Sequence, residues 1–257
     1  MGKYAFIVAY TDNYLPGYTA LKNSIKKRMD VELIAHHGTS VQDTAIERFK
    51  IAYDVCDKYD AICLMDADMF LTADCTLFFD IASNGFIVTG SNGMLINFDH
   101  NHQRIYNIDL GKKDYVYSKV HTTVPIFINH ENIDWFYELY NSKRIDHWDD
   151  FLYLNILGIK MGKHNKMLCM PPYTFTGIHH WQMKPDTAVM QKGDMLVSGT
   201  EEAVYMVHGK WWWGGWLQDL EPTMKKYFKD EQTGDQGKKK TYNAISILKQ
   251  EFDSLVG

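Results

Sequence analysis

Two aspartates separated by one alanine close an apolar run, Ala61-Ile-Cys-Leu-Met-Asp-Ala-Asp-Met-Phe70. Side chains two apart on an extended strand point the same way. Asp66 and Asp68 are therefore expected to share one face at the C-terminal end of a buried strand. Ligands bind at that edge of open α/β sheets. Two carboxylates this close repel unless a positive charge lies between them. A hard divalent cation meets that need, and Mg²⁺ or Mn²⁺ brings a phosphate ligand with it. The competing reading is a polar strand end with turn-forming aspartates.

Other residues could serve the same chemistry. In Glu47-Arg-Phe-Lys-Ile51, Arg48 and Lys50 could meet an anionic ligand, or be solvated helix charges. Tyr10-Thr-Asp-Asn-Tyr14 follows the first apolar run, again at a ligand-facing edge. Val204-Tyr-Met-Val-His208 ends in a histidine followed by Gly209 and Lys210. A neutral imidazole can complete a cation's shell, although a lone histidine is more often structural.

These residues need elements to hold them. Tyr4–Tyr10 reads as a buried strand, and Pro16-Gly17 opens a helix to about Lys27 with Leu21 and Ile25 on one face. Val31–Ala35 is a second strand, Val41–Lys58 a helix with Ile46, Phe49 and Tyr53 in register, and Ala61–Met65 a third strand. Strands alternating with helices predict an α/β fold with a mainly parallel sheet. Gly85–Asn97 reads as a hairpin turning at Gly90-Ser-Asn-Gly93, and Val124–Asn129 as another strand. Ile133–Tyr140 and Asp150–Leu157 read as helices, the latter stopped by Gly158. The polar, Gly-containing residues 229–241 read as a linker, and residues 242–257 as a helix with Ile245, Leu248, Phe252 and Leu255 in one stripe. That stripe could dock on the chain's own body, or meet a second copy or a membrane surface.

Composition removes some function classes. With 27 basic against 32 acidic residues the net charge is −5, which disfavours a broad nucleic-acid-binding surface. Cys56, Cys63, Cys75 and Cys169 form no C-x-x-C pair, so no zinc ribbon or redox motif is visible. Sparse, unpaired cysteines suggest a reducing compartment. No run reaches a signal-peptide core or a membrane span, and the expected location is cytoplasmic. Four of the 7 tryptophans lie between Trp211 and Trp216, as a sugar-stacking surface or as core.

Together the segments resemble the nucleotide-sugar glycosyltransferases of the GT-A fold, closest to glycosyltransferase family 8, which includes glycogenin and lipopolysaccharide galactosyltransferases. Ile7-Val-Ala-Tyr-Thr-Asp-Asn-Tyr14 is similar to that family's first strand and nucleoside loop, which gives Thr11, Asn13 and Tyr14 that role. Arg48 and Lys50 match its basic positions toward the nucleotide sugar. Asp66-Ala67-Asp68 matches its metal-binding D-x-D, also beside the nucleotide sugar. Asn129, after Pro125-Ile-Phe-Ile, resembles the end of the strand that lines the sugar pocket. Asp150-Phe-Leu-Tyr-Leu-Asn155 resembles D-Q-x-x-x-N, with Phe151 in the glutamine position and Asp149 a second choice of functional carboxylate. His208-Gly-Lys210-Trp211 resembles a shortened H-x-x-G-x-x-K-P-W, whose histidine is the third metal ligand. Gly209 and Lys210 then belong to the diphosphate site.

The resemblance implies a GT-A domain over residues 1–228, with a Rossmann-like, mainly parallel mixed sheet flanked by helices. It implies a Mn²⁺- or Mg²⁺-dependent transfer of sugar from a nucleotide diphosphate, UDP for preference, to an acceptor hydroxyl with retention of configuration. Asp66, Asp68 and His208 would hold the metal, Lys210 would neutralise charge, and Asp150 or Asp149 would stabilise positive character on the sugar. His179, His180 and Trp181 are candidates for an acceptor loop. Two rivals are a haloacid-dehalogenase-like phosphatase, which also places D-x-D at a strand end, and a catalytically silent carbohydrate-binding relative.

Overall fold

Tyr4, Phe6 and Val8 alternate with Ala5 and Ile7 along β1 (Tyr4–Tyr10), and all five are buried. A strand buried on both sides needs a covered sheet, and the computed structural model supplies one. It describes residues 2–91, 96–98, 104, 107–111, 115–117, 121–142, 150–171, 174–177, 190–192, 195–198, 202–209 and 235–257. The chain divides into two units. The first is Met1–Asn13, Val31–Asp66 and Thr76–Pro172; the second is Tyr14–Asp30, Ala67–Cys75 and Tyr173–Gly257.

The first unit is built on a six-stranded sheet. It contains β2 (Glu32–His37), β3 (Ala61–Asp66), β5 (Ile87–Ser91), β8 (His121–Ile128) and β9 (Met167–Met170), in the order β2-β1-β3-β8-β5-β9. The β1–β2, β1–β3 and β5–β9 pairs are parallel, and β8 runs against both β3 and β5. This is a mixed, mostly parallel sheet. Its helices are α2 (Val41–Val55), α3 (Thr76–Ser83), α4 (Asp134–Ser142) and α5 (Asp150–Lys160). On α3, Phe79 stacks on Tyr4 at 4.8 Å and meets Phe6 and Phe127 edge-on at 5.0 Å. Phe49 of α2 meets Phe136 of α4 edge-on at 5.1 Å. Each fully buried Phe of this kind contributes roughly 1.5–3 kcal/mol.

Two local expectations are corrected here. Ile87–Ser91 forms no hairpin with Ile96–Phe98 (β6), because β8 and β9 occupy both edges of β5. Instead β6 pairs with β7 (Tyr115–Tyr117). The predicted turn residues Gly90 and Ser91 lie within β5, while Asn92 and Gly93 lie outside the described residues. Beside Pro125, which lacks a ladder N–H, the β5–β8 register shifts between Thr89 and Ser91. Finally, α5 continues through Gly158 to Lys160 and is closed by the turn at Gly162, where φ is +70° and the N–H donates to the Ile159 carbonyl at 3.0 Å. Gly158 is a packing glycine, pressed against the buried Trp135 ring.

The second unit pairs β10 (Phe175–Gly177), β13 (Met206–His208) and β4 (Met69–Leu71) in that order, beside an antiparallel pair of β11 (Met190–Lys192) and β12 (Met195–Val197). The Ser24 hydroxyl of α1 (Leu15–Arg28) accepts the Leu71 N–H at 2.9 Å. The last helix, α6, covers Asp235–Val256, so residues 235–241 form its first turns and are not linker. A helix gains from each further turn once started, and Gln236–Lys240 holds one glycine and no proline. Leu248, Phe252 and Leu255 are buried, so the chain itself covers that part of the stripe. No helix among the described residues is long and apolar enough to cross a membrane.

Candidate metal and nucleotide site

In the first unit, Tyr10 pairs with His37 and Ala9 with Asp66. Parallel register thus brings the C-terminal ends of β1, β2 and β3 to one edge. Asp66 closes β3 at that edge, partly exposed, and the buried Arg48 of α2 donates to its carboxylate. The Asp12 carboxylate lies 2.8 Å from His37 Nε2. Thr11 is 7% exposed, and its hydroxyl has no hydrogen-bond partner among the described residues. Asn13 is exposed and Tyr14 half-buried. Sequence reasoning missed His37. Its signal was a short strand ending in a polar pair, which gains meaning only once β2 is known to lie beside β1.

Two predicted site residues stand elsewhere in this unit. Lys50 is two residues from Arg48, roughly 200° around a helix, so the two cannot serve one ligand from one face. Lys50 instead pairs with Asp54 one turn on, with its side chain exposed. Asn129 follows β8, whose direction is reversed: Ile128 pairs with Ile62 and Ile126 with Leu64. Asn129 therefore lies at the Ala61 end of β3, on the order of 15 Å from the Asp66 end at strand rise. There its side-chain oxygen accepts from Asn132 Nδ2 at 3.2 Å, and Asn132 also donates to the Gly85 carbonyl at 3.0 Å. Asn129 is a buried structural amide at the opposite edge of the sheet.

In the second unit, β4 and β13 are antiparallel, with Met69 opposite His208. This pairing sets His208 Nδ1 3.5 Å from the Asp68 carboxylate. The next residue locks the pair: Gly209 N–H donates to the Asp68 carbonyl at 2.5 Å. Ala67 is buried. The strand ends at Asp66, and Ala67 and Asp68 form a turn before β4, so the two carboxylates do not lie along one extended strand. Asp66 stands two residues up the chain from Asp68. Within the second unit, Asp68 and His208 set a carboxylate beside an imidazole, a pair that could share a metal ion. This mixed oxygen and nitrogen donor set suits Mn²⁺ and accommodates Mg²⁺.

Asp150 opens α5, but its side chain lies outside the described residues. So do Asp149, Lys210, the Trp211–Trp216 run, His179, His180 and Trp181.

No protein-family model matches the chain, and no curated protein matches it. Solved structures do. A glycosyltransferase involved in the glycosylation of the major capsid of PBCV-1 is similar over 80% of this chain and 93% of that one, at 10% identity and a TM-score of 0.49. An active-site mutant of LgtC is similar over 91% of this chain and 99% of that one, at 13% identity and a TM-score of 0.48. The WbbM bifunctional glycosyltransferase is similar over 69% of this chain, at 12% identity and a TM-score of 0.45; the chain spans 40% of that protein's length.

Proposed function

We propose that the protein is a metal-dependent glycosyltransferase. It would move a sugar from a nucleotide diphosphate, UDP for preference, to an acceptor hydroxyl with retention of configuration. The observation that carries this reading is the pairing of His208 with Asp68, residues far apart in the chain and held 3.5 Å apart by the β4–β13 ladder. A cation held by Asp68 and His208 would in turn grip a diphosphate.

Asp66, Asp68 and His208 would hold Mn²⁺ or Mg²⁺, whose chemistry is Lewis-acid stabilisation of the diphosphate leaving group. Thr11, whose hydroxyl has no partner among the described residues, would meet the nucleoside together with Asn13 and Tyr14. Arg48 would hold Asp66 in place and offer its guanidinium to the donor sugar. Gly209 would belong to the diphosphate site through its backbone, and Lys210 would neutralise charge as the bond to the leaving oxygen breaks. Asp150, or Asp149 beside it, would stabilise positive character on the sugar.

The test is thermal unfolding with UDP, with and without Mn²⁺, beside hydrolysis of a panel of nucleotide sugars. A ligand at ~100 times its dissociation constant adds about 2.7 kcal/mol of stability. A metal-dependent upward shift that His208→Ala removes is expected. No shift with any nucleoside diphosphate would overturn the reading, as would a metal-dependent phosphatase activity abolished by Asp66→Asn.

A further inference from the structure

The Asp68–His208 pair is backed by a ring from the far end of the chain. We propose that α6 positions the metal site through Phe252, a role that rests on the reading of Asp68 and His208 as metal ligands. Phe252 is fully buried and meets Phe70 edge-on at 5.8 Å, two residues after Asp68. It also lies against Gly209, directly after His208. A methyl group on Gly209 would come within 2.8 Å of the Phe252 ring at Cε2 and 3.1 Å at Cδ2. One ring therefore lies against Phe70 of β4, which follows Asp68, and against Gly209, which follows β13 and His208.

Those strands need such support. Both β4 and β13 are 3 residues long, and so short a ladder is a weak constraint by itself. The helix behind them is fastened at several points. Glu251 bonds Lys27 at 2.9 Å and Arg28 at 3.0 Å, and Asn23 Nδ2 donates to the Leu255 carbonyl at 2.6 Å. The partner in all three contacts is α1, which also receives the Leu71 N–H on Ser24. Thus α1 anchors β4 and α6 together, and the Phe252 ring fixes the space between α6 and Gly209. The amphipathic tail shapes the site from behind.

The experiment measures Mn²⁺ affinity in the presence of UDP, by the free-ion electron-spin signal, below the melting temperature of every variant. Phe252→Leu is expected to weaken Mn²⁺ binding by about ten-fold or more, the range for residues that orient ligands without touching the ion. Phe252→Met, whose flexible side chain can refill the space, should retain affinity. Gly209→Ala should also weaken binding, and combining it with Phe252→Leu should recover part of the loss, because the new methyl takes up the vacated volume. Without metal, the Gly209 amide should exchange faster with solvent in Phe252→Leu than in the wild type. Wild-type affinity and unchanged Gly209 exchange in Phe252→Leu would overturn the positioning role alone. A wild-type protein that binds no Mn²⁺ while His208→Ala leaves all properties unchanged would overturn the metal reading, and this inference with it.

Discussion

The Arg48 guanidinium donates to the carboxylate of Asp66, tying a helix residue that is 6% exposed to the last residue of β3. The two partners differ in surroundings: the Arg48 side chain is 7% exposed and that of Asp66 35%. Any cation at Asp66 must share that carboxylate with a guanidinium already in place.

That asymmetry sets the first prediction. Asp66→Asn keeps the shape but removes one counter-charge from beside a buried guanidinium. It should cost about 1–3 kcal/mol, the range for a hydrogen bond to a charged group. Arg48→Met leaves Asp66 near solvent and fills the helix site with apolar volume, so its loss should be smaller. Urea denaturation of both variants without metal checks the order. A larger loss in Arg48→Met would show that the helix packing of Arg48, not the pairing, dominates.

The end of α5 yields a second prediction. Gly162→Ala places a Cβ in a backbone conformation with φ of +70° and should cost about 1–2 kcal/mol. Gly158→Ala would ordinarily gain up to about 1 kcal/mol in helix propensity. Here its Cβ would lie 3.1 Å from Trp135 Cζ2 and 3.3 Å from Cε2, against a fully buried ring. A ring with nowhere to move turns that gain into a loss. A rise in the melting temperature of Gly158→Ala would show that Trp135 has room to yield.

The third concerns pH. Burial raises the Glu251 pKa, but hydrogen bonds from Lys27 and Arg28, with their charges, outweigh it and hold the group below its ordinary value. A carboxyl with a depressed folded-state pKa stabilises the fold above its unfolded pKa, about 4.3, and this contribution disappears as pH falls through the folded value. Because the Lys27 and Arg28 side chains that hold Glu251 are 48% and 25% exposed, solvent screening keeps the contribution under about 1 kcal/mol. Glu251→Gln should therefore melt slightly lower than the wild type at pH 7 and match it below the folded pKa. A gap that widened on acidification would contradict the assignment.

Much of the fold was legible from local pattern. The β1 bounds, Tyr4–Tyr10, follow from its apolar run, and α1, α2, β3 and α4 lie close to where their periodicity sets them. The site was legible in part. Asp66, Asp68 and His208 were singled out by residue type and by resemblance, and β4 and β13 bring Asp68 and His208 together. Lys50 was misjudged for lack of helix geometry, since residues two apart on a helix diverge. Asn129 was misjudged because apolar periodicity looks the same whichever way a strand runs.

By itself, then, the sequence determined which residues could do chemistry and which short segments would be strands or helices, because hydrophobic period and capping act over a few residues. The tertiary structure alone decided direction and neighbours: that β8 runs backwards through the sheet, that β5 takes β8 and β9 in place of a hairpin partner, and that α6 lies along α1 with Phe252 against Gly209. These are choices among distant partners, settled by which arrangement buries the most apolar surface while keeping the backbone hydrogen-bonded. No local signal carries that comparison.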